Sequence, residues 1–310
     1  MKQTSKIYIA GHRGLVGSAI TRHLKKNGYK NIISRTSKQL DLRDERKVNR
    51  FFEKEQPEFV FLAAARVGGI LANDSYPVDF LQDNLQIQTN IISNAYQTGT
   101  KKLLFLGSSC IYPRDCPQPM KEEYLLTGPL EKTNEWYAIA KIAGIKLCQA
   151  YRKQYGFNAI SAMPTNLYGP NDNFDLQTSH VLPALIRKFH EAKVNNEPEV
   201  IIWGTGTPKR EFLYIDDLAD ACLFLMQNYN IEEIINIGAG EDITIRELAE
   251  LIGTVVSYTG KLSFDSSKPD GTPRKLQDVT RLNSAGWRHK KNLKNGIKST
   301  YTWYCKNLPQ

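Results

Sequence analysis

The chain has 310 residues, 41% of them hydrophobic and 24% charged, with 41 Lys and Arg against 32 Asp and Glu and a formal charge of +9. This is a soluble, globular composition, long enough for about two domains, and no run approaches the roughly 20 apolar residues of a membrane span. The positive charge suits nucleic acid or an anionic small ligand, but the cations are scattered, with modest clusters at 43–50 and 289–298 that are not groove-reading motifs, so an anionic small ligand is expected and nucleic acid is not.

The first residues, Met1 to Lys6, lead straight into a strand-like run without a signal-peptide core, so the chain is expected in the cytoplasm. Residues 6–10 predict a buried strand ending at glycine, and 15–26 a helix stopping at Asn27-Gly28. Strand-like stretches follow at 31–34, 59–64, 102–106 and 158–162. Helical ones stand between them at 44–55, 78–97 and 134–155. This alternation predicts βαβ units and a doubly wound parallel sheet of Rossmann type over residues 1–165.

From 166 to 178 the chain is rich in Gly, Pro, Asn and Asp and reads as loop. Helices are expected at 180–193, 216–228, 244–257 (with Thr244 as N-cap) and 293–305, and strands at 200–203 and 234–237; the tail from 260 reads as loop-rich. Residues 166–310 are expected to form mainly a smaller α/β substrate domain, with about 211–238 returning to the first.

Gly11-His12-Arg13-Gly14-Leu15-Val16-Gly17 follows the first strand and opens the first helix. Glycines there permit a tight turn and close approach of a pyrophosphate to the helix N-terminus. Dinucleotide folds that take NAD place an acid about 20 residues on, to bond the ribose 2′-hydroxyl. Here Arg35 stands at that place and no acid lies between Gly28 and Leu40. With Arg13, it suits the 2′-phosphate of NADP(H), while Asp41 and Leu42 are candidates for the adenine side. The bland reading of Arg35, a solvated loop residue, stays open.

Tyr137 and Lys141 stand four apart on a predicted helix and share a face. A nearby ammonium is expected to lower the phenol pKa and make it a usable acid or base. Gly107-Ser108-Ser109 follows the fourth strand, at the carboxyl edge where open α/β sheets bind ligands. The five cysteines, Cys110, Cys116, Cys148, Cys222 and Cys305, are odd in number and include no Cys-x-x-Cys. They read as reduced thiols, and no metal site is expected.

With these motifs, Leu62-Ala63-Ala64-Ala65, Asn84, 164–170 and 210–217, the chain resembles the extended branch of the short-chain dehydrogenase/reductase family. The resemblance implies that Ser108 and Tyr137 bond the reacting oxygen and that Lys141 holds the nicotinamide ribose. It adds Ala64, Pro164, Asn166, Leu167 and His180 to the cofactor site. The stretches 107–113, 179–183, 203–206 and 271–275 narrow the likeness to members that epimerise a GDP-bound 4-keto-6-deoxy sugar at carbons 3 and 5 and reduce carbon 4. That implies Cys110 and His180 as the proton-transfer pair, with Cys110 the base and His180 the acid, the order being left open. It implies Lys188, Trp203, Arg210, Lys275 and Asp278 for the sugar nucleotide, and a homodimer. A 4-epimerase or 4,6-dehydratase is the rival enzyme, although no acid stands beside Ser108 as a dehydratase would need. A non-enzymatic NADP-binding redox sensor is the rival of another class, and would not need Tyr137.

Overall fold

The computed structural model describes residues 1–268 and 270–307, and of Ile70 and Leu71 the backbone alone. The first stretch contains β1 (Ile7–Ala10), α1 (Leu15–Lys26), β2 (Ile32–Ile33), α2 (Glu45–Glu55), β3 (Phe59–Leu62), α3 (Ile70–Ser75), α4 (Pro77–Gln97), β4 (Lys102–Leu106), α5 (Glu135–Tyr155) and β5 (Ala159–Pro164). There follow β6 (Asn166–Tyr168), α6 (Val181–Val194), β7 (Glu199–Trp203), β8 (Lys209–Tyr214), α7 (Ile215–Asn228) and β9 (Ile235–Ile237). The chain ends with β10 (Asp242–Thr244), α8 (Ile245–Val256), β11 (Lys261–Asp265), β12 (Arg274–Lys275), α9 (Thr280–Ser284) and α10 (Leu293–Lys306).

Six strands form a parallel sheet in the order β2-β1-β3-β4-β5-β9. Side chains alternate across a strand, and both sides of this sheet are apolar. Ile7, Ile9, Leu104 and Leu106 join one core with α1 and α7. Tyr8, Ala10, Leu103 and Phe105 join the other with α2, α4 and α5. Helices on both faces explain why the strands read as short continuous apolar runs. The chain passes from β1 outward to β2, then returns to β3 on the other side of β1. This reversal opens a crevice at the carboxyl ends of β1 and β3, where such sheets bind ligands.

Beyond β5 the structure departs from the sequence expectation in three places. Residues 166–178 are not all loop: β6 pairs in parallel with β8, Leu167 opposite Leu213 and Tyr168 opposite Tyr214. Three residues among Gly, Pro and Asn carry no periodicity, so partner strand and burial decide. β8 itself, flanked by β10 and β12, was hidden by its charged start, Lys209-Arg210-Glu211. The tail from 260 likewise contains β11, paired with β7, and β12. A third core, built on Leu185, Phe189, Leu248, Ile252 and Ile297, packs α6, α8 and α10 together. No helix among the described residues is long and apolar enough to cross a membrane.

Candidate active site

The three glycines after β1 are required for different reasons. Gly11 has φ +87°, and a Cβ there would lie 2.8 Å from the Ala64 backbone, so β1 and the end of β3 meet only across a glycine. A Cβ on Gly17 would collide with the Gly11 carbonyl. Gly14 is different: its Cβ would meet nothing nearer than Gly11 O at 3.6 Å, so no neighbour within the protein demands glycine there. Gly14 is also the N-cap of α1, with no side-chain cap and no acid in the first turn. An uncapped N-terminus facing open space is an anion cradle. His12 Nδ1 lies buried beside it without a partner, and burial, with Arg13 adding, holds the imidazole below its ordinary pKa. These features fit a dinucleotide pyrophosphate.

Around the second strand, Arg13 makes no hydrogen bond or ion pair with any described residue. Arg35 is partly engaged, 2.8 Å from Glu55 and 5.4 Å from the Phe51 ring centre. Asp41 is engaged with Arg43 at 2.8 Å, whose hydrogen bonds hold its carboxyl down at about 2. Leu42 packs on the sheet core, and its carbonyl accepts from Asn90. At the far strands, Asn166 donates to Glu211 O, Leu167 pairs with Leu213 and Pro164 with Ile237. Asn84 bridges the Arg66 backbone and Phe80 O, fixing the chain after β3.

Ser108 stands two residues past the end of β4 and caps a one-turn 3-10 helix, its hydroxyl accepting from Cys110 N–H at 3.3 Å. Tyr137 faces it from α5. Burial pushes the phenol well above its ordinary pKa, Cys110 pushes the same way, and the neighbouring Ser108 hydroxyl draws it back. Lys141 is buried, donates to Leu106 O at 2.8 Å, and lies 4.9 Å from the Phe105 and 5.7 Å from the Tyr137 ring centres. Burial lowers its pKa to about 7. The expectation of a phenol acidified by the ammonium is not met in the ligand-free protein: burial raises the phenol pKa, and the Lys141 ammonium lies over the ring, 5.7 Å from its centre. The tyrosine stays protonated at neutral pH, the form that donates.

One residue that sequence reasoning passed over makes this closeness possible. A Cβ on Gly144 would lie 2.5 Å from Phe105 and 2.7 Å from Gln88, so glycine lets α5 settle on β4 and α4. Gln88 then donates to Ala140 O at 2.6 Å, one residue before Lys141.

Cys110 is half-buried and accepts from Asn134 Nδ2 at 3.5 Å. Burial holds Arg210, from β8, below its ordinary pKa, with nearby Asp270 opposing that shift. His180 stands just before α6 without capping it. Protein surrounds the ring on most sides, yet the residue keeps an open face to solvent. Burial, then Lys275, holds its pKa low, so the imidazole of the ligand-free protein is neutral near pH 7. The loop bearing it rests on Gly69, whose N–H donates to Thr178 O at 3.0 Å.

Trp203 is 58% exposed, which excludes a core role. Lys188 lies 5.2 Å and Lys268 5.7 Å from its ring centre. Lys275 and Arg210 are register partners on β12 and β8. The structure thus brings Ser108, Cys110, Tyr137 and Lys141 together, with Arg210 in the neighbourhood of Cys110 and Lys275 in that of His180. Asp278 is placed otherwise: its carboxylate accepts from Thr280 N–H at 2.8 Å and its backbone is tied to Met120 and Asn236. Lys268 and Asn134 were missed because neither lies in a recognisable motif.

Residues 7–238 match the pattern of the NAD dependent epimerase/dehydratase family. GDP-L-fucose synthase 1 of Arabidopsis thaliana is 61% identical over 306 residues, 99% of this chain and 95% of that protein. The GDP-L-fucose synthase of Escherichia coli is 54% identical over 311 residues, 97% of either chain. The crystal structure of a GDP-L-fucose synthetase from Naegleria fowleri bound to NADP superposes with a TM-score of 0.92 at 32% identity, covering 99% of this chain and 96% of that one.

Proposed function

The chain belongs to the NAD dependent epimerase/dehydratase family, and from that premise we propose that it converts GDP-4-keto-6-deoxy-D-mannose to GDP-L-fucose with NADPH. The observation that carries this reading is the Ser108–Cys110–Tyr137 cluster over a buried Lys141: it joins a proton donor for a carbonyl to a thiol that reductases of simple ketones do not need.

The cofactor is NADP(H), cradled by residues 11–17 and bordered by Ala64, with Arg13 and the remaining donors of Arg35 meeting the 2′-phosphate. When bound, it supplies the hydride that reduces carbon 4. Lys141 holds the nicotinamide ribose, and Pro164, Asn166 and Leu167 border the ring. The carbon 4 ketone acidifies the hydrogens on carbons 3 and 5. Cys110, as thiolate, takes a proton from one face of each carbon in turn, the electron pair is held as an enolate on the carbon 4 oxygen, and between the two epimerisations Cys110 loses its proton to solvent while His180 regains one. His180 returns a proton to the opposite face. For that it must first be protonated, which the negative charge of a GDP-sugar favours against the burial and Lys275 that keep it neutral in the free protein. Ser108 orients the carbon 4 oxygen, and Tyr137 delivers its phenolic proton there as the ketone becomes an alcohol.

Arg210 and Lys275 meet the diphosphate, and Trp203 offers its exposed face to base or sugar, flanked by Lys188. In this reading, residues 1–165 with about 211–238 hold the cofactor and 166–310 mainly the substrate. The enzyme works in the cytoplasm as a homodimer joined through α4 and α5, whose outer faces expose Val78, Trp136 and Ile139.

The test is turnover of GDP-4-keto-6-deoxy-D-mannose with NADPH, following loss of the reduced nicotinamide absorbance and identifying the sugar. GDP-L-fucose is the expected product; cofactor binding without oxidation would refute the substrate assignment.

A further inference from the structure

Asn134 opens α5 at the N-cap, where asparagine ordinarily accepts an N–H from the first helical turn. It makes no such bond. Its Nδ2 instead donates to Cys110 Sγ at 3.5 Å, while its Oδ1 is buried with no partner. The amide therefore forgoes the cap and leaves an acceptor unmet, and what it gains is the thiol. The turn that carries it is anchored from behind. Asn134 N–H donates to Glu131 O at 3.1 Å. The Glu131 carboxylate accepts from Thr133 N–H and the Thr272 hydroxyl, each at 3.4 Å, with Arg114 at the same distance.

We infer that Asn134 is a positioning residue for the proton transfers at carbons 3 and 5, its amide fixing the direction of Cys110 Sγ and favouring the thiolate. The inference rests on the role given to Cys110 above. A donor aimed at a charged group favours the charged form, and Cys110 must pass between thiol and thiolate in each epimerisation. Tyr137 from α5 and Arg210 from β8 also stand in the neighbourhood of Cys110. Arg114, Glu131 and Lys275 line the small cavity that adjoins it.

The experiment is alkylation of Cys110 by iodoacetamide across pH, read on its peptide by mass spectrometry, in the full-length ligand-free chain carrying Asn134→Ala or Asn134→Asp. Incorporation of solvent deuterium at carbons 3 and 5 is measured during turnover of the same proteins. Asn134→Ala should move the alkylation profile about one pH unit higher and slow deuterium incorporation about tenfold. Asn134→Asp should move it further, because a carboxylate beside Sγ opposes the thiolate; being nearly isosteric, it carries the test if the alanine variant fails to fold. NADPH affinity should be unchanged in both. Wild-type profiles in both variants, with an active parent enzyme, would overturn the inference alone. Shifted profiles with a parent that does not turn over the GDP-sugar would overturn the functional reading and the proton-transfer role with it.

Discussion

Tyr137 and Lys141 show how a pair can be legible in spacing and not in environment. The i, i+4 separation puts both on one face of α5, as the sequence predicts, but nothing local reveals that the ammonium is buried under Phe105 and bonded to Leu106 O. The consequence is measurable. Below about pH 7 both folded and unfolded chains hold the Lys141 proton, and the folded state bears the full cost of a buried charge. Between there and the ordinary lysine range, only the unfolded chain binds it, so stability rises with pH. Denaturant unfolding of the ligand-free protein should show Lys141→Met removing up to about 1.4 kcal/mol per pH unit of that slope. Parallel slopes in parent and variant would mean that Lys141 is charged in the fold. If Arg13 and Arg35 meet the 2′-phosphate as proposed, neutralising both should cut the ratio of NADPH to NADH kcat/KM about tenfold or more. An unchanged ratio would return Arg35 to its Glu55 pair and Arg13 to solvent.

At the scale of elements, legibility followed locality. Thr244 and Glu247 form a reciprocal capping box at the start of α8, a signal held in four consecutive residues. Thr244→Ala should lower stability by about 1 kcal/mol with little change in turnover. β6, β8 and β12 were illegible because each depends on a partner distant in sequence, and Glu211, fully buried in β8, hides the strand's apolar character. Gly144 belongs to the same class. In an isolated helix alanine would stabilise that position, whereas here its Cβ would press on Phe105 and Gln88. Gly144→Ala should therefore destabilise by about 1–3 kcal/mol and reduce turnover, by moving α5 away from β4. A higher Tm would show that the interface can yield.

For the whole molecule, the alternation of strands and helices and the glycine turn made the parallel sheet and its cofactor edge readable early. The substrate side was readable only as separate motifs. Arg210 and Lys275 come together through the β8–β12 pairing, which carried no signal of its own, and Asp278 lies just before α9. The proposed homodimer is tested by Trp136→Glu with Ile139→Glu, which should halve the mass seen by light scattering; an unchanged mass would place the contact elsewhere. The central claim is that one pocket performs two epimerisations and a reduction. The most direct measurement is turnover in deuterium oxide with NADPH, followed by NMR of the sugar. Deuterium at carbons 3 and 5, with protium delivered to carbon 4, is the predicted result, and Cys110→Ser should give a reduced sugar without the deuterium. A parent enzyme that yields a carbon 4 alcohol with protium retained at carbons 3 and 5 would contradict the account.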